Sequence, residues 1–366
     1  MIPIRNIHSL TLVIVWLLSI HVASAEELDT YRIWTSSTGS KIDAVCVSHS
    51  SSNIILKTRS GPVITIRTTD LSGKDKQYVA ELIRYSNLNL EKGKVFVTQL
   101  TVHMFPVLND YFKGYVPQRI YKAYKEGNVS KTWEYANRIS PEECVGYTPS
   151  NHSMVVYIPT NYTGAVAYGV YLHIQPGDGG MKPGKDYQDL MDRHRLIMIS
   201  PDKTSNNESS WRRIALAIDS LATIKQQCRI DESRVFVGGT SGGGHMAMMC
   251  HMIYPEYFSG SISHAAQSYL PSSKGAGHFP GLNLNDTQTG VRKKHKWDVI
   301  SGDKDSNYQK ILTTSQEWLQ AGFRYKFFDV KGMGHSTASA SALEPVLEWM
   351  EKTGASSEIH GKRWKK

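Results

Sequence analysis

With 366 residues, 40% of them apolar, and a formal net charge of +9, the chain is long enough for one large or two ordinary domains around a real core, which excludes a disordered polymer. Its four cysteines, Cys46, Cys144, Cys228 and Cys250, are too widely spaced for a metal site, and no pairing follows from them. The positive excess comes with no nucleic-acid-binding motif; part of it sits in a basic tail, "GKRWKK" at residues 361–366, a solvated end or one drawn to anionic surfaces.

Residues 1–25 read as a unit of their own. Arg5 precedes an apolar run over residues 10–20, and Ala23, Ser24 and Ala25 supply small side chains, the pattern of a secretory signal cut before Glu26. The run is short of the roughly 20 residues that a membrane span takes, and no later stretch is long and apolar enough to span. The expectation is an exported protein, secreted or periplasmic, with no membrane span once the signal is cut and in a compartment that permits disulfides. Five N-x-[ST] sequons begin at Asn128, Asn151, Asn161, Asn207 and Asn285; they matter only in a host that glycosylates.

Over residues 30–82, short alternating segments ("KIDAVCV", "NIILKT", "VITIRT") are separated by turn formers such as Ser60, Gly61 and Pro62, which predicts a small all-β barrel. The order "YRIWTSSTGSKIDAVCV", then "NIILKTRSGPVITIRTTDLSGKDKQYV", resembles the Sla-type homology domain, an SH3-like module. That resemblance implies a peptide or protein ligand for the module, without marking residues that would hold it. Trp34 is either a ligand platform or a core residue. Residues 83–143, aromatic, polar and irregular, read as a connecting or capping segment.

From 144 to 354 the pattern changes to alternating strands and helices, which predicts a mostly parallel sheet covered on both faces. Candidate strands are "MVVYIPT", "YGVYLHIQ", "RLIMISP", "RVFVGGT", "GSISHAA", "KWDVISG" and "RYKFFDV". Between the third and fourth, Trp211, Ile214, Ala215, Ile218, Leu221 and Ala222 recur at helical spacing and form one apolar stripe. Residues 355–366 form the basic tail, and Cys250 reads as a small buried side chain.

Gly239, Thr240, Ser241, Gly242 and Gly243 make a G-x-S-x-G sequence between a β-rich run and a helix-compatible one. In a nucleophile elbow the chain reverses so sharply that the serine is strained and a neighbour with a Cβ would collide; Gly239 and Gly243 relieve that crowding. The Gly242 N–H, at the positive end of the helix, then points where an oxyanion forms. A serine needs a base and a group to orient the base, in the order Ser, acid, His. "KWDVISGDKDSNY" ends in a loop offering Asp305, with Asp303 as the weaker competitor beside the strand end. "FFDVKGMGHSTAS" places His335 on the loop after the last strand, where the base belongs. The loop after "YGVYLHIQ" carries Gly177, Asp178, Gly179 and Gly180; Asp178 N–H is the expected second oxyanion donor, with Gly177 or Gly179 as alternatives. His173 and His264, at strand ends, are candidate substrate contacts. So is Tyr269, in a long insertion over residues 267–295 that also carries His278 and Phe279. His245 and His251 lack a third ligand, so no metal is expected.

With these motifs in place, the region resembles the α/β-hydrolase superfamily, in the branch of secreted polyhydroxybutyrate-depolymerase-like, feruloyl-esterase-like and acetyl-xylan-esterase-like proteins; "IDESRVFVGGTSGGGHMA" carries the likeness in wording as well as pattern. The resemblance implies a serine esterase with a Ser241, Asp305 and His335 triad, no cofactor, and an acylated polysaccharide or other extracellular ester, polymeric or not, as substrate. One departure stands out: Pro176 and Gly177 occupy the place where many relatives have His-Gly. Two other readings keep the triad in different settings. One is a prolyl-oligopeptidase-like peptidase, for which the region before the hydrolase is too short to hold a propeller. The other is an inert binding protein that works through its barrel.

Overall fold

The computed structural model describes residues 31–86, 90–104, 146–208, 210–266 and 289–352. The expected signal, Cys144, the loop residues Tyr269, His278 and Phe279, the basic tail and most of the 83–143 segment lie outside them. The chain divides into two compact units, with the boundary between Val79 and Ala80.

In the first unit, β1 (Arg32–Thr35), β2 (Lys41–His49), β3 (Asn53–Thr58) and β4 (Val63–Arg67) form a four-stranded antiparallel meander in chain order. A single antiparallel bridge, Ser36 to Leu71, ties the chain after β4 back to the end of β1. It is flanked by Ser37 N–H to Asp70 O and Ser72 N–H to Thr35 O, both 2.8 Å. Trp34 is the core of this unit rather than a platform: it is 1% exposed, its Nε1–H donates to Ala44 O at 2.9 Å, and its ring meets the edge of Tyr78. The expected all-β reading of residues 30–82 needs amending, because α1 (Gly73–Ser86) begins inside it. "SGKD" reads as a turn, yet Ser72 Oγ accepts the Asp75 N–H and donates to Asp75 Oδ2, a reciprocal cap of the kind that starts helices.

The second unit is a mixed eight-stranded sheet with helices on both faces. Its strands are β5 (Val95–Gln99), β6 (Ser153–Tyr157), β7 (Tyr168–Ile174), β8 (Leu196–Pro201), β9 (Ile230–Thr240), β10 (Gly260–His264), β11 (Lys296–Ser301) and β12 (Tyr325–Asp329). They lie in the order β12-β11-β10-β9-β7-β8-β6-β5. β7 to β12 run parallel, β6 is antiparallel to β8, and β5 is antiparallel to β6. All seven expected strands are present. β5 was not expected: it falls in the segment read as connection or cap, and it is a short edge strand of five residues with Val97 and Gln99 exposed.

The helices are α2 (Lys185–His194), α3 (Ser210–Gln227), α4 (Gly242–Ile253), α5 (Thr289–Lys294), α6 (Tyr308–Gln320) and α7 (Ala340–Glu351). Alternation along each strand divides the core. Val235 and Val237 of β9 pack with Ile214, Ile218, Met246 and Trp318 of α3, α4 and α6, whereas Phe236 packs with Leu190, Leu343 and Leu347 of α2 and α7. Ile214, Ala215, Ile218 and Leu221 are buried as the helical spacing predicts, and Cys250 is fully buried.

One carboxylate outside the sheet matters for the chain path. Asp219 of α3 accepts hydrogen bonds from Met104 N–H at 2.8 Å and Tyr147 O–H at 2.7 Å and pairs with His103 Nδ1 at 2.9 Å. The segments on either side of residues 105–145 thus meet at the same buried acid.

Candidate active site

β9 ends at Thr240 and α4 begins at Gly242, leaving Ser241 to make the whole reversal. It does so at φ 54°, ψ −121°, a conformation that costs a non-glycine residue on the order of 1–3 kcal/mol. The glycines around it answer to contacts. A Cβ on Gly239 would lie 2.3 Å from Gly243 O, and one on Gly243 would lie 2.0 Å from Ile174 O, so strand, elbow and β7 approach at backbone distance. The Ser241 N–H donates to His264 O at 2.9 Å, which fixes the serine to the end of β10.

Ser241 Oγ lies 2.8 Å from His335 Nε2, and His335 Nδ1 lies 2.9 Å from Asp305 Oδ1. Asp305 is held in turn: Ser301 O–H donates to its Oδ2 at 2.6 Å and Asn307 N–H to its Oδ1 at 2.9 Å. Its side chain is fully buried, whereas that of His335 is 37% exposed. The loops after β11 and β12 run side by side through a Lys304–Gly334 bridge. Gly302 makes this approach feasible, since a Cβ there would sit 1.9 Å from Val330 O. Asp303, the competitor, is exposed and accepts the Gly332 N–H at 2.5 Å. A buried carboxylate can hold the imidazole with its proton on Nδ1, leaving Nε2 to take the serine proton.

Gly242 occupies the first turn of α4, against the Asn206 side chain. Gly177 and Asp178 are exposed; Asp178 Oδ1 accepts the Ser205 N–H at 3.3 Å. The residues of that loop that touch the elbow are its first ones, because Ile174 and Gln175 border the Cβ position of Gly243. Nothing in the sequence singles out Gln175; it becomes visible only when β7 is laid beside β9.

His173 and His264 do not reach a substrate. Both are 0% exposed, and every ring nitrogen has a protein partner. Burial holds the His264 imidazole down to about 3 and that of His173 well below its usual range. Strand-end position suggested a cleft-facing side chain, but β7 is buried on both faces, and His173 lies in the core. His251 pairs with His295 and stacks on Trp297. Among the described residues, no three His, Cys, Asp or Glu side chains converge as metal ligands, and no helix is long and apolar enough to cross a membrane.

No family model matches the chain. Among curated proteins it is similar to the probable acetylxylan esterase A of Aspergillus flavus, 29% identical over 139 residues, which cover 33% of this chain and 43% of the relative. It is also similar to poly(3-hydroxyalkanoate) depolymerase C of Paucimonas lemoignei, 22% identical over 243 residues, 57% of this chain and 59% of that one. The chain thus spans less than half the length of the acetylxylan esterase that it matches. Among solved structures it resembles a ferulic acid esterase, with 17% identity and a TM-score of 0.43 over 54% of this chain and 91% of that one. It also resembles an acetyl xylan esterase from Aspergillus awamori, with 16% identity and a TM-score of 0.40 over 56% and 95%.

Proposed function

We propose that the protein is an exported serine hydrolase, a carboxylic ester hydrolase acting on acylated polysaccharide or another extracellular ester, polymeric or not. The observation that carries this reading is the unbroken line from Asp305 through His335 to a serine on a strained strand-to-helix turn. The likeness to acetylxylan esterases and to a polyhydroxyalkanoate depolymerase supports the ester and its polymeric setting. The apolar leader before Glu26 supports export.

In the proposed reaction, His335 Nε2 takes the Ser241 proton as Oγ attacks the ester carbonyl, and Asp305 steadies the imidazolium. The oxyanion accepts the Gly242 N–H and one from the loop after β7. His335 returns the proton to the leaving alcohol as the acyl C–O bond breaks, which leaves an ester on Ser241. Water, deprotonated by the same imidazole, then releases the acid. No cofactor takes part. The four-stranded first unit with its Ser36–Leu71 bridge is read as the SH3-like module, with a peptide or protein ligand.

A fluorophosphonate probe tests this. Adduct on Ser241 of the protein from Glu26 onward, lost in Ser241→Ala and in His335→Ala, is the expected result, because loss of nucleophile or base costs on the order of 10⁴–10⁶ in rate. A folded wild type that takes no label refutes the reading and moves attention to the first unit.

A further inference from the structure

Behind the elbow lies a set of buried polar side chains that the proposed reaction does not use. Tyr171 and His173 come from β7, Thr240 from the end of β9, His264 from the end of β10, and Thr337 from the loop that carries His335. Tyr171 Oη lies 2.8 Å from His264 Nε2 and 2.9 Å from His173 Nδ1. His173 Nε2 is 3.2 Å from Thr240 Oγ1, and that oxygen is 2.7 Å from Thr337 Oγ1.

One bond in the set has a fixed direction: the Ala338 N–H donates to His264 Nδ1 at 3.2 Å. Every other direction follows from it by counting protons. With Nδ1 accepting and the buried ring neutral, His264 donates from Nε2 to Tyr171 Oη. The tyrosine has one proton, which goes to its remaining partner, His173 Nδ1. His173 then donates from Nε2 to Thr240 Oγ1, and Thr240 donates to Thr337. The chain of bonds starts at Ala338 and ends at Thr337, adjacent residues two and three positions beyond His335. Tyr187 O–H donates to Ala338 O at 2.5 Å and clamps the same turn from α2.

We infer that this closed, one-way circuit positions His335, so that Tyr171, His173, His264, Thr240 and Thr337 act on the reaction through the base while touching neither substrate nor the reacting atoms; the inference rests on the serine-hydrolase reading. Its geometry serves that role. The circuit joins the residue just before Ser241 to the turn just after His335, while His264 also accepts the Ser241 N–H through its carbonyl. Serine and base are thereby registered to the same three strand ends. Apolar side chains would fill this space at less desolvation cost, but they would remove the polar links between the residues just after His335 and the ends of β7, β9 and β10. A displacement of about 1 Å at such a site can cost about 100-fold in rate.

Three variants and two NMR readouts test the circuit. Thr337→Val removes the last acceptor at constant shape, Thr337→Ser restores it, and Tyr171→Phe cuts the middle. For p-nitrophenyl acetate, kcat should fall about 10- to 100-fold in Thr337→Val and Tyr171→Phe with KM within about 2-fold, and Thr337→Ser should regain most of the loss. Unchanged kcat in folded Thr337→Val overturns the inference; should Tyr171→Phe not fold, the threonine pair decides. Imidazole proton–nitrogen correlation spectra of the wild type should show His173 and His264 both protonated on Nε2 alone, and the other tautomer in either ring overturns the circuit. The low-field Nδ1–H resonance of His335 should move in Thr337→Val and return in Thr337→Ser, and a resonance that stays put is equally fatal. This last readout needs no turnover, so it judges the circuit even if the fluorophosphonate result defeats the esterase reading.

Discussion

Acidification should unfold the second unit well above the pH at which carboxylates alone would do so. His173, His251 and His264 are fully buried and neutral. Burial puts His264 at about 3 and the other two well below their ordinary 6.5, the charge of a neighbouring histidine adding to the effect at His173 and His251. A group whose native pKa is depressed contributes stability that is complete above the unfolded value and is lost as pH falls toward the native one. Each of the three therefore removes about 1.4 kcal/mol per pH unit below 6.5. Asp298 opposes them. It is fully buried in β11 with neither carboxylate oxygen hydrogen-bonded, and burial raises it well above 3.8. The native state thus holds a proton there that the unfolded chain releases above that value, and stability rises on acidification. His295 and His152, also lowered by burial, add to the loss, and Glu256, raised by burial, opposes it. The histidines outnumber the carboxyls, so going from pH 7 to 5 costs stability on the order of a few kcal/mol, a large share of a typical 5–15 kcal/mol. Urea titrations followed by the fluorescence of the buried Trp297 and Trp318 should show the midpoint dropping accordingly. Asp298→Asn, which cannot ionise, should steepen the slope. Equal midpoints at pH 7 and 5 refute the reasoning.

Further tests concern the site. Asp305→Asn should lower kcat by about 10⁴ by stabilising the wrong imidazole tautomer, whereas Asp303→Asn should stay within about 3-fold, since that carboxylate accepts the Gly332 N–H and Asp305 is the one on the imidazole; steady-state kinetics on one ester distinguishes them. Gly239→Ala should both destabilise the fold by more than about 2 kcal/mol and abolish labelling of Ser241, because the new Cβ meets backbone atoms at 2.3 Å that cannot rotate away; an active Gly239→Ala with an unchanged melting temperature refutes the packing argument.

The parallel strands were legible because strands buried on both faces are continuous apolar runs bounded by glycine and proline. The elbow was legible because its glycines answer a steric demand that leaves its mark in the sequence. Of the two carboxylates weighed on that loop, Asp305 lies beside His335 Nδ1 and Asp303 binds the Gly332 N–H. What stayed hidden depends on pairings between distant segments. β5 acquires its meaning only beside β6, and α1 begins with residues that in isolation favour a turn. His173 looked like a cleft residue because its strand number is readable whereas its face is not; only the Tyr171 and Thr240 partners show that it points inward. Gln175 has no marker at all, since its place is set by the approach of Gly243 to the end of β7.

The grip of Asp219 on Met104 and Tyr147 bears on how such a protein can change over generations. Because Met104 N–H and Tyr147 O–H, from segments far apart in the chain, share one buried acceptor, a substitution of Asp219 strips the partner from both at once, at about 1–3 kcal/mol for each buried group left unsatisfied. That position is therefore closed to drift, whereas either partner can change singly at the cost of one bond.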